Sequence, residues 1–282
     1  MVGIEEILAL ESLEKDIFRG AVHPTALQRT FGGQVAGQSL VSAVSTVDEH
    51  YLVHSLHGYF LRAGNPKIPT VYLVDRIRDG RSFCTRRVNA IQDGKTIFTM
   101  SASFQTQDVG VEHQDRMPKV PSPEDLPDPR DVPALARSPF YEEWKTWDIR
   151  IVPAEESRSA PDLAAQQQVW IRYREKLADR PLLHICALAY LSDMTLLGAS
   201  KVPHQRVRTQ SASLDHAMWF LRPFRADEWL LYDQTSPSAG FGRALTQGRI
   251  YDRSGNMVAA VVQEGLARLD HDAVEKKAGP HA

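Results

Sequence analysis

Two stretches of this chain nearly repeat each other. SLHGYFLR runs from Ser55 to Arg62 and SLDHAMWFLR from Ser213 to Arg222, about 160 residues later. The segments downstream of them repeat as well. After the first come an apolar run (TVYLVDRIR), a glycine-containing turn (DGRSF), a strand-like run (CTRRVNAIQ), the turn DGK and a last run (TIFTMSASF). After the second come EWLLYDQ, the glycine-rich SAGFG, RALTQGRIY, the turn RSGN and MVAAVVQEG. An apolar helix candidate precedes each string. One element order written twice marks a duplicated unit. Two copies of one α+β domain are therefore expected, over 1–108 and 142–270, with a proline-rich linker over 109–141 and a polar tail over 271–282.

Taken in order, residues 4–15 place Ile4, Ile7, Leu8, Leu10 and Leu13 at roughly helical spacing, which predicts a short amphipathic helix. DIFRGAVHP reads as a strand ended by proline. From Gln34 to Val47 the chain is small and apolar on nearly every side, so this helix should be buried all round. Gly32 and Gly33 sit at its start, where free N–H groups and a partial positive charge collect. Strands are predicted over 54–61, 69–78, 83–92 and 96–105, with Asp93-Gly94 as a hairpin turn between the last two. MPKVPSPEDLPDPRDVPALARSP has few apolar anchors and reads as an extended linker. The second copy starts with WDIRIV and QVWIRYR. Leu182–Leu197 is its apolar helix, and strands follow near 209–221, 228–234, 241–251 and 256–268.

One all-round apolar helix for every four or more consecutive strands can be buried only if the sheet wraps the helix. That is the hot-dog fold, and two copies make an α+β double hot-dog with its sheets joined edge to edge. A chain of 282 residues has room for both cores. The net charge of −2 argues against a nucleic-acid coat protein, so no nucleic-acid partner is expected. No run reads as long enough to span a bilayer, and no membrane partner is expected. Two cysteines cannot form a disulfide framework. The acidic first residues lack the basic stretch of a secretory signal, Val2 breaks the myristoylation pattern, and GPHA is no peroxisomal address. A cytoplasmic location is the expectation.

In this order, RTFGGQVAGQSL, HSLHGYFLRAG, RIRDGRSFCTRRV, LAYLSDMTLL, ASLDHAMWFLRPF and VVQEGLAR resemble the acyl-CoA thioesterase II family. The likeness covers nearly the whole chain apart from the linker and tail. It implies a double hot-dog enzyme that hydrolyses fatty acyl-CoA to free acid and coenzyme A without metal or other cofactor. It also implies a water positioned by an aspartate on the second long helix, a threonine or serine opening the next strand, and a glutamine on the last strand. These fall on Asp193, Ser213 and Gln263. Serine in place of threonine keeps the hydroxyl but drops a methyl that restricts the rotamer.

The chemistry suits those residue types. A thiolate is a good leaving group, so the reaction needs an aimed water, an acceptor for its proton, and donors for the oxyanion. On pattern alone, Asp193 reads first as a helix-end cap, although MTLL after it suggests that the apolar helix runs on. Ser213 by itself is uninformative, and Gln263 reads equally as a strand reaching the surface. Gly32, Gly33 and Gln34 are candidates for facing the substrate, with tight packing an equal explanation of the glycines. Arg76, Arg78 and Arg86, with Arg81 and Arg87 close by, are candidates for the phosphates of coenzyme A. A solvated hairpin balanced by Asp75 and Asp79 explains them as well. Asp215 and His216 are adjacent on a strand, point to opposite faces, and read as structural, as does His57. Without a converging Asp/His pair, an enoyl-CoA hydratase on this fold is the weaker reading. A non-catalytic acyl-CoA-binding protein is the reading from another class. There is no GxSxG elbow and no zinc pattern. Assembly into dimers or tetramers is compatible with the fold, but no sequence feature supports it.

Overall fold

The computed structural model describes residues 2–157 and 163–270, so the tail expected over 271–282 lies outside the described residues. The helix expected over 4–15 is instead α1 (Ile4–Leu8) and a strand, β1 (Leu10–Glu14), that pairs antiparallel with β2 (Ile17–Gly20). Leu10 and Leu13 are spaced for a helix, but Leu13 is exposed, and a hydrogen-bonded ladder with β2 satisfies a backbone that an exposed helix end would leave open. Next come α2 (Gly32–Val44), β3 (Tyr51–Phe60), β4 (Thr70–Asp79), β5 (Phe83–Gln92) and β6 (Lys95–Thr106). The turn between β5 and β6 has φ of 48° at Asp93 and 69° at Gly94, both positive as a two-residue hairpin requires.

Two short helices, α3 (Pro133–Ala136) and α4 (Pro139–Glu143), lead into β7 (Trp147–Ile151) and β8 (Gln166–Tyr173). The second central helix, α5 (Pro181–Ser192), is followed by a 3-10 helix over Leu196–His204. Then come β9 (Thr209–Ser213), β10 (Asp215–Phe220), β11 (Leu230–Gly240), β12 (Arg243–Asp252) and β13 (Met257–Leu269). By composition and length the stretch Pro181–His204 would suffice to cross a membrane, which corrects the expectation that no run is long enough. In this fold it breaks after Ser192, and about two thirds of its most apolar window is buried inside the protein.

The strands form one antiparallel sheet in the order β1-β2-β4-β5-β6-β3-β10-β13-β12-β11-β8-β7, with β9 beside β13. Its two halves meet where β3 pairs with β10, from Tyr59 opposite Asp215 to Ser55 opposite Trp219. The repeated strings are thus the seam that joins the halves edge to edge.

Inside the curve lie α2 and α5, antiparallel and in close contact. Gly33 faces the carbonyl of Tyr190, and Gly37 faces that of Cys186. A Cβ at Gly33 would stand 2.1 Å from the Tyr190 oxygen, so only glycine admits this approach. The residues from Cys186 to Ser192 are all buried, as the all-round apolar pattern required.

The segment after β6 is not a free spacer. Leu126 packs with Val152, Trp170, Trp229, Leu231 and Tyr251 in a second apolar cluster. Trp170 Nε1 donates to the Pro121 carbonyl (2.9 Å), and Arg249 and Arg253 pair with Asp115 (2.8 Å) and Glu124 (2.7 Å). The sequence shows the segment's own few anchors but not the tryptophans that receive it.

Candidate active site

Helix α5 stops at Ser192, and Asp193 is its C-cap (φ −85°, ψ −8°). The expectation that the apolar helix continues through MTLL is therefore corrected. Side chains occupy the last turn: Ser192 Oγ lies 2.9 Å from the Ala189 carbonyl, and Tyr232 OH donates to the Ser192 carbonyl (3.1 Å). Beyond Thr195 the chain tightens into the 3-10 helix.

Across from Asp193 the sheet is bulged. Ser213 pairs with Gly265 and Ala217 with Val262, so the three residues Leu214–His216 face only the two residues Gln263 and Glu264. An extra residue on one strand re-aims the side chains on either side of it. Ser213 and His216, three apart, would face oppositely on a regular strand; here both reach the end of α5. Asp215 stays on the other side, where its carboxylate accepts the Glu264 N–H (2.7 Å).

Three side chains meet at this point. Ser213 Oγ donates to Asp193 Oδ1 (2.9 Å), Gln263 Nε2 donates to the same oxygen (2.7 Å), and Nε2 also donates to Ser213 Oγ (2.5 Å). Gln263 is fully buried, which removes the reading of a strand reaching the surface. Asp193 and Ser213 are partly exposed. The other carboxylate oxygen, Oδ2, faces the start of α2, where a Cβ on Gly32 would lie 2.6 Å from it and 3.0 Å from the Phe60 ring. No side chain caps that helix, and its Gln34 and Val35 N–H groups are the ones that return to the Phe31 carbonyl. Asp193 thus stands at the negative end of its own helix and the positive end of the other.

Two buried titratable groups flank the cluster. Burial pushes Tyr232 well above the usual tyrosine range, with the Asp193 charge adding to it. Burial likewise lowers His216 below the usual histidine value, against the opposing pull of Asp193, Gln263 and Asp215. Sequence reasoning sets His216 aside. The available signal is strand alternation, because His216 occupies an inward position with Met218 and Phe220.

The other candidates divide. Gly32 borders the carboxylate, whereas Gly33 is a packing glycine between the helices. Gln34 lines a cavity of about 70 Å³ with Phe31, Trp144 and Tyr190. Arg86 is corrected: it is 2% exposed, and its guanidinium donates to Thr46 Oγ1 (2.9 Å), to the carbonyls of Thr46 (3.1 Å), Arg78 (3.1 Å) and Thr85 (3.0 Å), and to Asp79 (2.5 Å). It holds the carboxyl end of α2, about 20 Å of helix rise from Gly32, and has no donor left to offer a phosphate. Arg76 is exposed and paired with Asp16, and Arg78 is exposed at a bulge opposite Thr85. Neither adds a group to the Asp193–Ser213–Gln263 cluster. His57 packs its ring edge-on against Trp219 at 5.0 Å. Among the described residues, no group of three His, Cys, Asp or Glu is placed to hold a metal ion.

A duplicated sheet wrapped around two antiparallel helices defines a double hot-dog protein, and a carboxylate, a hydroxyl and a primary amide are joined where the helix ends meet. Comparison with known proteins narrows the class. Residues 141–266 match the family model described as acyl-CoA thioesterase, and residues 21–105 match its N-terminal domain. The chain is 41% identical to mouse acyl-coenzyme A thioesterase 8, over 98% of this chain and 92% of that protein. It is 34% identical to acyl-CoA thioesterase 2 of Haemophilus influenzae, over 93% and 96%. It superposes on the crystal structure of an acyl-CoA thioesterase II, TesB2, from Mycobacterium marinum, with a TM-score of 0.86, 59% identity and coverage of 96% and 100%. The chain belongs to the acyl-CoA thioesterase II family. It is an enzyme that hydrolyses acyl-CoA thioesters, a reading favoured over hydration or binding without turnover.

Proposed function

We propose that this chain hydrolyses the thioester by direct attack of water, with Asp193 as general base. The observation that carries the proposal is the closed triangle of hydrogen bonds among Asp193, Ser213 and Gln263. Both amide hydrogens of Gln263 are committed, one to the carboxylate and one to the hydroxyl, so its part is to lock the other two. Ser213 Oγ gives its hydrogen to Oδ1 and accepts one from Gln263, which leaves a lone pair for a hydrogen of the water. Oδ2 takes the other hydrogen as the water oxygen attacks the carbonyl carbon.

The oxyanion that forms faces the first N–H groups of α2, where the helix dipole also favours negative charge. The C–S bond then breaks. The thiolate, whose conjugate acid has a pKa near the thiol value of about 8.5, leaves and is protonated by the Asp193 acid or by solvent. A base contributes about 10² to 10⁴ in rate and one oxyanion donor about 10² to 10³. The acyl group is assigned to the cavity lined by Phe31, Gln34, Trp144 and Tyr190, because Tyr190 lies one helical turn before Asp193. Leu27, Phe31, Trp144 and Tyr190 on its apolar side favour a fatty acyl chain, with Thr25, Thr30 and Glu143 on its polar side.

Asp193→Asn tests the base. Free-thiol release should fall at least about a hundredfold, with an unchanged circular dichroism spectrum. A variant that turns over at the wild-type rate removes Asp193 from the mechanism. The same assay across short to long acyl-CoAs reads the chain-length preference, and a preference for acetyl-CoA would overturn the fatty acyl assignment.

A further inference from the structure

The reaction as proposed does not use His216, which is 1% exposed and directly behind the cluster. Its Nε2 lies 2.7 Å from Ser192 Oγ, on the residue that immediately precedes Asp193. The side-chain amide of Gln263 is, with Asp193 and Asp215, one of the groups that oppose the lowering of the His216 pKa by burial. Two buried polar atoms at this spot, His216 Nδ1 and Gln263 Oε1, have no closed hydrogen bond in the resting arrangement.

The protons at this junction are fixed from Asp193 outward. A primary amide can be turned either way, because its nitrogen and oxygen are nearly alike in size and shape. Here the carboxylate decides. Turning Gln263 over would set its oxygen 2.7 Å from a carboxylate oxygen, acceptor against acceptor. The nitrogen must therefore face Asp193 and Ser213, and the oxygen is left in the interior needing a donor. If His216 carried its proton on Nε2, it would donate to Ser192 and turn a lone pair toward that oxygen. With the proton on Nδ1 the conflict disappears: Nδ1–H becomes a donor for Oε1, the other open polar atom at this spot, and Nε2 accepts the hydroxyl hydrogen of Ser192. Ser192 is free to make that choice, since its single hydrogen has the Ala189 carbonyl (2.9 Å) and Met218 Sδ (3.2 Å) as its other neighbours.

We infer that His216 is a positioning residue for hydrolysis, present as the neutral Nδ1–H tautomer. It holds Gln263 in the one orientation that can grip both Asp193 and Ser213. The relay runs from Ser192 at the end of α5, through His216 on β10, to Gln263 on β13, and back to Asp193. The strand bulge makes it reachable by placing Ser213 and His216 on the same side. This inference rests on the catalytic reading of Asp193, Ser213 and Gln263.

Its test compares thiol release by His216→Leu, His216→Asn, Gln263→Leu and a control, His57→Leu. Leucine removes the donor, whereas the asparagine amide offers an N–H where Nδ1–H stood. His216→Leu should lower kcat about 10- to 100-fold, the range known for groups that orient metal-ligating residues, with KM within about twofold. His216→Asn should stay within about threefold of the wild type, and His57→Leu should be unaffected. A His216→Leu enzyme as fast as His216→Asn overturns the inference. If Gln263→Leu keeps full activity, the catalytic reading fails and takes this inference with it; if Gln263→Leu is slow but His216→Leu is not, only the inference fails. Should the leucine variant not fold, the tautomer decides: nitrogen NMR of wild-type enzyme labelled at histidine, with His216→Asn for assignment, must show a proton on Nδ1. A proton on Nε2 overturns it.

Discussion

Replacing Gly32 with alanine tests the meeting of α2 and Asp193 with a single methyl group. That carbon would stand 2.6 Å from Asp193 Oδ2 and 3.0 Å from the Phe60 ring, where ordinary contact begins at 3.4 Å. The carboxylate must therefore retreat by roughly 0.8 Å, which opens the 2.7 Å and 2.9 Å bonds that hold it to Gln263 and Ser213. A misplacement of about 1 Å in a reacting constellation costs about 10²-fold, equivalent to about 2.7 kcal/mol in the barrier. Stability should move the other way or not at all. Gly32 has no positive φ, and alanine is the better helix former by up to about 1 kcal/mol. Steady-state thiol release and a thermal melt on one preparation read both quantities. Gly33→Ala is the matching contrast, since its methyl would meet the main-chain oxygen of Tyr190 at 2.1 Å. A backbone atom cannot step aside, so that variant should lose about 1–3 kcal/mol of stability through overpacking. A Gly32→Ala enzyme within threefold of the wild-type kcat would refute the placement of Oδ2 at the helix start.

Arg86→Leu should destabilise the fold by about 2–5 kcal/mol, because the buried Thr46 carbonyl and hydroxyl lose their donor. KM for acyl-CoA should stay within about twofold; a large rise in KM with an unchanged melt would return Arg86 to phosphate binding. Acid should weaken the fold through His184, which is 2% exposed and accepts the Ala226 N–H at Nδ1 (3.1 Å). Burial, then the Arg225 charge, lower its pKa below the usual 6.5. Its stabilising contribution is thus complete above about pH 6.5, where the unfolded chain is also neutral, and is lost as pH falls toward the folded-state value. Urea midpoints at pH 8, 6 and 5 should decline more gently in His184→Asn, and parallel declines would remove His184 from the acid response.

The linear chain determined the duplication, the α+β class and most of the strands, because those signals are local and occur twice. Alternation, the Asp93-Gly94 turn and the all-round apolar run at Leu182–Leu197 need no distant partner to be read. The resemblance also named Asp193, Ser213 and Gln263, but it could not say how they touch. Only the tertiary structure decided that. The site is assembled from the first turn of one helix, the C-cap of the other and two strands of the sheet, and a strand bulge sets which side chains turn inward. Bulges and helix-end meetings have no period. For the same reason Arg86 read as a phosphate ligand and the segment after β6 as a spacer: in each case a partner that decides the role lies far away in sequence.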